Sequence, residues 1–213
     1  MDAELFPQIP CSSLDFEQRA RRQGYHVVAG VDEAGRGPLA GPVVSAAVIL
    51  PEDVDLDGLT DSKLLSPAAR NEYFRLIGEQ AVAVGIGVSR HEEIDRINIL
   101  QATLCSMVRA VGRLRMPPDY LLIDGITPVP IAISQQTIKQ GDLHSLSISA
   151  ASVVAKVIRD RIMFAYDRVC PGYGFASHKG YSCASHKEAI ARLGPSLCHR
   201  RSFNGVKEHC HES

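Results

Sequence analysis

An α/β domain is the fold class the sequence predicts. Short apolar runs of strand character and longer segments with apolar residues at helical spacing, succeeding one another along the chain, predict it. Residues 25–31, with His26 their only polar member, and residues 43–50, 81–88 and 120–124 are the runs of strand length. Residues 98–114 and 147–165 carry helical stripes: Ile99, Ala102, Leu104, Met107, Val108 and Val111 in the first, and Ile148, Ala151, Val154, Ala155, Ile158, Ile162 and Ala165 in the second.

In chain order, Ser12 and Ser13 precede a segment with Asp15 and Glu17 near its start and Arg19, Arg21 and Arg22 near its end, so a short helix is expected outside the core before Gly24. The first two strands flank Asp32-Glu33-Ala34-Gly35-Arg36-Gly37, which puts two carboxylates just past a buried strand. Glycines 35, 37 and 41 remove side chains that would hold a ligand off the backbone and allow positive φ at a turn. Arg36 then faces whatever approaches. After an acidic loop over 51–58, Asp61-Ser62-Lys63 precedes a helix opened by Ser66-Pro67 and running to Gly78. A Ser-Lys pair before a helix suits a phosphate, and it equally suits simple capping.

Small residues in the 81–88 strand predict close packing against a neighbour. An acidic turn over 91–95 leads into the 98–114 helix, which Met116-Pro117-Pro118 stops. The next strand terminates in Asp124 before Gly125, where a carboxylate is costly unless something pairs with it. Another short strand is expected over 128–133, and Asp142 follows in a polar turn. Small residues Ser149, Ala150, Ala151 and Ser152 open the last long helix and let it lie tight against a sheet. Beyond Cys170-Pro171-Gly172 the chain is loop-rich, with His178-Lys179-Gly180-Tyr181, a short helix over 185–193, and a basic run His199-Arg200-Arg201.

At 213 residues the chain suits one catalytic domain with an extension. No apolar run approaches the roughly 20 residues of a membrane span, and the acidic first ten residues lack a signal-peptide core, so a cytoplasmic protein with no membrane partner is expected. The six cysteines have no CxxC spacing, which predicts reduced thiols. Zinc at Cys198-His199 with His209-Cys210-His211 lacks a recognised ligand spacing, and these residues read as a tail. Net charge is −1 but uneven: residues 1–150 hold 13 Lys+Arg against 19 Asp+Glu, and residues 151–213 hold 10 against 5. Lys179, Lys187, Arg200 and Arg201 could therefore form a phosphate-binding surface, or a solvated face.

Asp32, Glu33, Asp124 and Asp142 stand at strand ends and before a helix, where they can converge at one sheet edge. Carboxylates that close repel, and a divalent cation with oxygen ligands, Mn²⁺ or Mg²⁺, is the usual resolution. Two such ions suit in-line phosphoryl displacement without a protein nucleophile. A metal-dependent phosphatase or DNA nuclease would share these acids, and a non-enzymatic nucleic-acid-binding module would bind without cutting.

Asp32-Glu33-Ala34-Gly35-Arg36-Gly37, Asp61-Ser62-Lys63-Leu64, Leu122-Ile123-Asp124-Gly125, Gly141-Asp142, Ser149-Ala150-Ala151-Ser152 with Lys156, and His178-Lys179-Gly180-Tyr181 stand in an order and spacing that resembles bacterial ribonuclease HII, the type 2 ribonuclease H. Arg36 resembles type HII rather than the sister type HIII, and Leu64 stands where many relatives carry a second lysine. The resemblance implies a ribonuclease-H-like five-stranded mixed sheet flanked by helices. It implies a catalytic core over 25–168, a helical extension over 1–24, and a helical segment and tail over 169–213 that cover the substrate. By this likeness Asp32, Glu33, Asp124 and Asp142 hold Mn²⁺ or Mg²⁺ and are catalytic. Gly35, Arg36 and Gly37 touch the 2′-hydroxyl and phosphate at an RNA–DNA junction, and Tyr181 packs on the next, deoxy sugar. Ser62, Lys63, Ser149, Ser152, Lys156 and Lys179 complete the substrate-binding set. The partners implied are RNA–DNA hybrids and DNA duplexes containing ribonucleotides, bound by a monomer.

Overall fold

The computed structural model describes residues 12–210, so Cys11 and residues 211–213 of the expected tail lie outside it. One mixed sheet organises the rest. Its strands are β1 (Val28–Ala34), β2 (Val43–Ile49), β3 (Ala83–Ser89), β4 (Tyr120–Asp124) and β5 (Ser134–Ile138), in the order β3-β2-β1-β4-β5. β1, β2 and β3 pair antiparallel, and β4 and β5 add parallel to β1. β2 is buried at every residue because it is interior and covered on both faces, which is why it reads as an unbroken apolar run.

Helices α2 (Pro67–Gln80) and α4 (Leu146–Val169) cover one face, where their apolar residues pack on Ala46 and Val48. Helix α3 (His91–Gly112) covers the other, against Ala29, Val31, Ala47 and Ile49. Close packing follows from missing side chains. A Cβ at Gly30 would run into the backbone of Ser147 and Ile148 in α4, and one at Gly85 or Gly87 into the carbonyls of Ala110 or Ser106 in α3. The expected acidic turn over 91–95 is instead the first part of α3. Asn98, at φ +67°, breaks the helix and restarts it, its side chain accepting from the Gln101 N–H at 3.1 Å. With ψ at 167° this backbone is strained for a residue other than glycine, and the Asn98 side chain caps the second half of the helix.

The strand expected over 128–133 lies instead at β5. Pro128 and Pro130 have no N–H to give a ladder, and the Gln135 side chain serves both the N–H and carbonyl of Val129. β5 is an edge strand of polar residues, so apolar periodicity does not reveal it.

Two segments close the fold. Helix α1 (Asp15–Arg22), expected outside the core, buries Glu17 and Ala20. Glu17 Oε1 accepts from Ser145 Oγ at 2.6 Å, Ser147 N at 2.9 Å and Ser147 Oγ at 2.5 Å, a carboxylate at the positive end of α4. At the other end, α5 (Phe175–His178) and α6 (Ala184–Leu193) bury Phe175, Ala189 and Ile190 with Leu39, Ala40 and Met163. Cys198 and His199 are buried in this cluster too, so the tail reading fails for them. Among the described residues no helix is long and apolar enough to cross a membrane.

Candidate active site

Parallel register puts Val31 beside Ile123, so Asp32 and Asp124 are the next pair, at the carboxyl ends of adjacent central strands. Asp32 and Glu33 lie within β1 rather than past it, and the Glu33 N–H donates to Asp32 Oδ1 at 2.6 Å. Asp124 Oδ1 accepts from the Gly141 N–H at 2.7 Å. That bond ties the strand end to the 3-10 turn Gly141–Leu143, which carries Asp142 just before α4. Ser149 Oγ, fully buried, donates to the Asp142 carbonyl, so Ser149 supports an acid rather than facing a ligand.

Burial raises the Asp32 carboxyl well above its ordinary range, and the charges of Glu33, Asp124 and Asp142 raise it further. Burial likewise raises Glu33, with Arg36 opposing. Asp142 is pushed up to about 6 by burial and then by Asp61 and Asp124. Asp61, singled out in the sequence only within the Asp61-Ser62-Lys63 motif, is thus a further acid of this corner beside the four expected. Lys63 Nζ stands 3.5 Å from Asp142 Oδ2 and 3.6 Å from Asp61 Oδ1. Burial works against its charge, but Asp61, Asp142 and Asp32 outweigh it and raise its pKa.

The donor set fits a hard divalent cation: all-oxygen, acidic and self-repelling. As they stand, no three His, Cys, Asp or Glu side chains among the described residues are gathered closely enough to hold an ion. The acids share one electrostatic field, and ligation requires their side chains to close in.

A cleft of about 230 Å³ brings Asp32, Glu33 and Asp124 together with Gly35, Arg36 and Gly37. Ser62, Lys63, Ser152, Lys156 and Tyr181 line it as well. Arg36 Nη1 lies 3.5 Å from Glu33 Oε1 and its side chain is half exposed. Gly35 has φ +96°, and a Cβ there would strike the Arg159 side chain. Ser62 and Ser152 share a hydrogen bond of 2.8 Å between their hydroxyls. Tyr181 is 46% exposed, so its ring is not filling a loop core. Lys156 Nζ sits 6.0 Å from that ring's centroid and donates to Asp160 Oδ1 at 2.7 Å. Lys179 faces a neighbouring cleft of about 410 Å³, which shares Lys156 with the first, and its Nζ lies 4.0 Å from the Phe164 ring centroid.

Arg200 does not belong to a phosphate-binding surface. It is fully buried and donates to the carbonyls of Gly35 at 2.5 Å, Arg36 at 2.8 Å and Gly41 at 3.0 Å. Arg159, also fully buried, donates to Pro42 at 3.0 Å, Ala40 at 3.2 Å and Lys179 at 3.0 Å. Charge counting misses both. The available signal is position, since Arg159 falls four residues from Ala155 and from Met163, on the buried side of α4.

A family profile described as Ribonuclease HII matches residues 29–206. The protein named Ribonuclease HII in Geobacter sulfurreducens is 61% identical over 100% of this chain and 99% of its own length. Its namesake in Geobacter metallireducens is also 61% identical, over 98% and 99%. Among solved structures, the ribonuclease H2 from Pyrococcus horikoshii OT3 superposes with a TM-score of 0.70 at 26% identity, covering 86% of this chain and 96% of that one. Bst-RNase HIII in complex with Mn²⁺, at 18% identity and a TM-score of 0.63 over 86% of this chain and 68% of that one, shares the fold. With a matching profile across most of its length, full-length relatives at this identity and the same five-stranded sheet, the chain belongs to the ribonuclease HII family, whose members are endoribonucleases acting on RNA–DNA hybrids.

Proposed function

We propose that this chain cleaves the RNA strand of RNA–DNA hybrids and also cuts 5′ to single ribonucleotides embedded in duplex DNA, leaving 3′-hydroxyl and 5′-phosphate ends. Its task would be ribonucleotide removal from DNA in the cytoplasm, carried out by a monomer. The observation that supports this reading is that the strand-end acids share one cleft with the Gly35-Arg36-Gly37 loop and the exposed Tyr181 ring.

Asp32, Glu33, Asp124 and Asp142 would hold Mn²⁺ or Mg²⁺, and two such ions supply neutralisation of the charge that builds on the attacking and leaving oxygens. The chain's own residues do the rest. Backbone groups of Gly35 and Gly37 approach the 2′-hydroxyl, the group that tells RNA from DNA at a given site. Arg36 contacts the adjoining phosphate, and Tyr181 packs on a sugar that lacks the hydroxyl. Lys63, Lys156, Ser62 and Ser152 bind backbone phosphates around the acids, with Lys179 further along. Ser149 holds the Asp142 turn in place. Residues 25–168 act as the catalytic core, and 169–213 cover the substrate.

The test is incubation of end-labelled duplexes in Mn²⁺ or Mg²⁺: one with a single ribonucleotide, one continuous hybrid and one all DNA. Cutting of the first two and not the third is expected. Equal cutting of the all-DNA duplex, or no cutting at the single ribonucleotide, would overturn the reading.

A further inference from the structure

Two guanidiniums lie buried side by side under the Gly35–Gly41 loop. No ion pair with a carboxylate serves either of them among the described residues. Their partners are backbone carbonyls, and Arg159 Nη1 has no hydrogen-bond partner at all among those residues. Burying two like charges together is costly. Burial, with the neighbouring Arg159 charge, pulls Arg200 down to about 9, which leaves it charged at neutral pH. The two sets of partners divide in an informative way. Arg200 grips only the glycine loop, through Gly35, Arg36 and Gly41. Arg159 grips the loop at Ala40 and Pro42, and with the same Nη2 it grips Lys179, two residues before Tyr181.

Backbone contacts reinforce the junction. The Leu39 N–H donates to the Gly180 carbonyl at 2.8 Å, and a Cβ at Gly180 would stand 2.8 Å from the Ala40 carbonyl oxygen. Gly41 N–H donates to Cys198 at 2.8 Å, and Arg200 N–H to Leu39 at 2.8 Å. The loop that carries Arg36 and the turn that carries Tyr181 thus have no sheet in common and meet at the Leu39–Gly180 backbone bond and on the Arg159 side chain.

We infer that Arg159, which joins the Gly35-Arg36-Gly37 loop to the Tyr181 turn, and Arg200, which braces that loop from below, are positioning residues that set the spacing at which a ribose-to-deoxyribose step is read. This rests on the sugar-reading role given to that loop and to Tyr181. A guanidinium fork reaches three carbonyls in fixed directions, whereas a lysine ammonium is a single point donor, so Arg→Lys keeps the charge and loses the geometry.

The experiment compares Arg159→Lys, Arg200→Lys and Gly180→Ala, which pushes the turn off the loop from the opposite side, with the parent protein. Amide hydrogen exchange in the absence of substrate should rise about tenfold in residues 35–42 and in residues 180–183 together in Arg159→Lys and Gly180→Ala, and in residues 35–42 in Arg200→Lys, as expected for loss of one or two well-made bonds. The preference for a single-ribonucleotide duplex over a continuous hybrid should fall by a similar factor, while the Mn²⁺ concentration for half-maximal cutting stays within about twofold, because the acids ride on other elements. Exchange that rises in one segment alone in Arg159→Lys, or activity that falls equally on both substrates in step with the melting temperature, would overturn the coupling. If the parent itself fails to cut at a single ribonucleotide, the proposed function falls, and the exchange measurement still decides the coupling.

Discussion

The acid wall of the cleft and the wall that faces it are held by different physics. Asp32 and Asp124 are fixed by the ladder between two central strands, and Asp124 in turn fixes the Asp142 turn through one N–H of Gly141. Arg36 and Tyr181 sit on segments with no ladder of their own, held by side chains that satisfy carbonyls from below. The lesson is about tolerance. The acid wall should survive isosteric changes at its tip because its spacing resides in the sheet, whereas the opposite wall depends on single buried side chains.

The sharpest way to separate the walls is Asp124→Asn. The amide oxygen can still accept from Gly141, so the geometry should persist while the negative charge is lost. Cleavage should fall at least about a hundredfold, or about 2.7 kcal/mol of transition-state stabilisation. The melting temperature should hold or rise, because the charge of Asp124 raises both Asp32 and Asp142. Full activity at saturating metal would remove Asp124 from the site.

Next in size is a pair of glycine substitutions. Gly30→Ala would drive a methyl group into the α4 backbone and should cost about 1–3 kcal/mol in denaturant unfolding. Gly37→Ala meets nothing within 4 Å and should leave stability alone while reducing cleavage. Matching unfolding curves for the two variants would refute the account of α4 packing.

A pH titration sharpens the contrast further. His199 is held neutral, its pKa lowered to about 3 by burial and by His186, whose Nε2 lies 3.0 Å from its own. Above the ordinary value near 6.5 the ring is neutral folded or unfolded, so it adds no pH dependence there. Below it the unfolded chain takes up a proton that the folded chain refuses, and stability falls with pH down to about 3, by up to about 1.4 kcal/mol per pH unit. The difference between parent and His199→Gln should therefore vanish in slope above pH 7 and appear below 6. A parallel pair of curves would show that the ring titrates freely.

The smallest effect concerns salt. If Lys156 and Lys179 each meet a phosphate, Lys→Ala at either should flatten the log–log salt dependence of binding by about 0.9. An unchanged slope for both lysines would make this a solvated face.

The same contrast governs what can be read from the sequence. β1, β2 and β4 are legible because burial on both faces writes itself as apolar runs, and Asp32, Glu33 and Asp124 stand out as charges ending those runs. β5 is not, because an edge strand needs little burial. Asp142 is visible only as an acid in a turn, and Asp61 shows as part of the Asp61-Ser62-Lys63 motif but not as an acid of the site, because nothing apolar frames it. Arg200 misleads because a charge count treats every arginine as solvent-facing, and Glu17 does so for the same reason. Their partners, Gly35 and Ser145, are 165 and 128 residues away, distances that no local pattern spans.

Those separations also set an order of events during synthesis. The acids of β1 and the glycine loop leave the ribosome early, while Arg159 and Arg200, which hold that loop, are made 119 and 165 residues after the carbonyls they bind. Until then the loop carbonyls have only water, and contacts this distant form late. A growing chain would thus carry its carboxylates long before it can read a sugar, and competence would arrive as a single late event rather than by degrees. Chains stalled on the ribosome at increasing lengths should gain protected amides at 35–42 only once residue 200 has emerged; protection in shorter chains would mean that the loop organises itself.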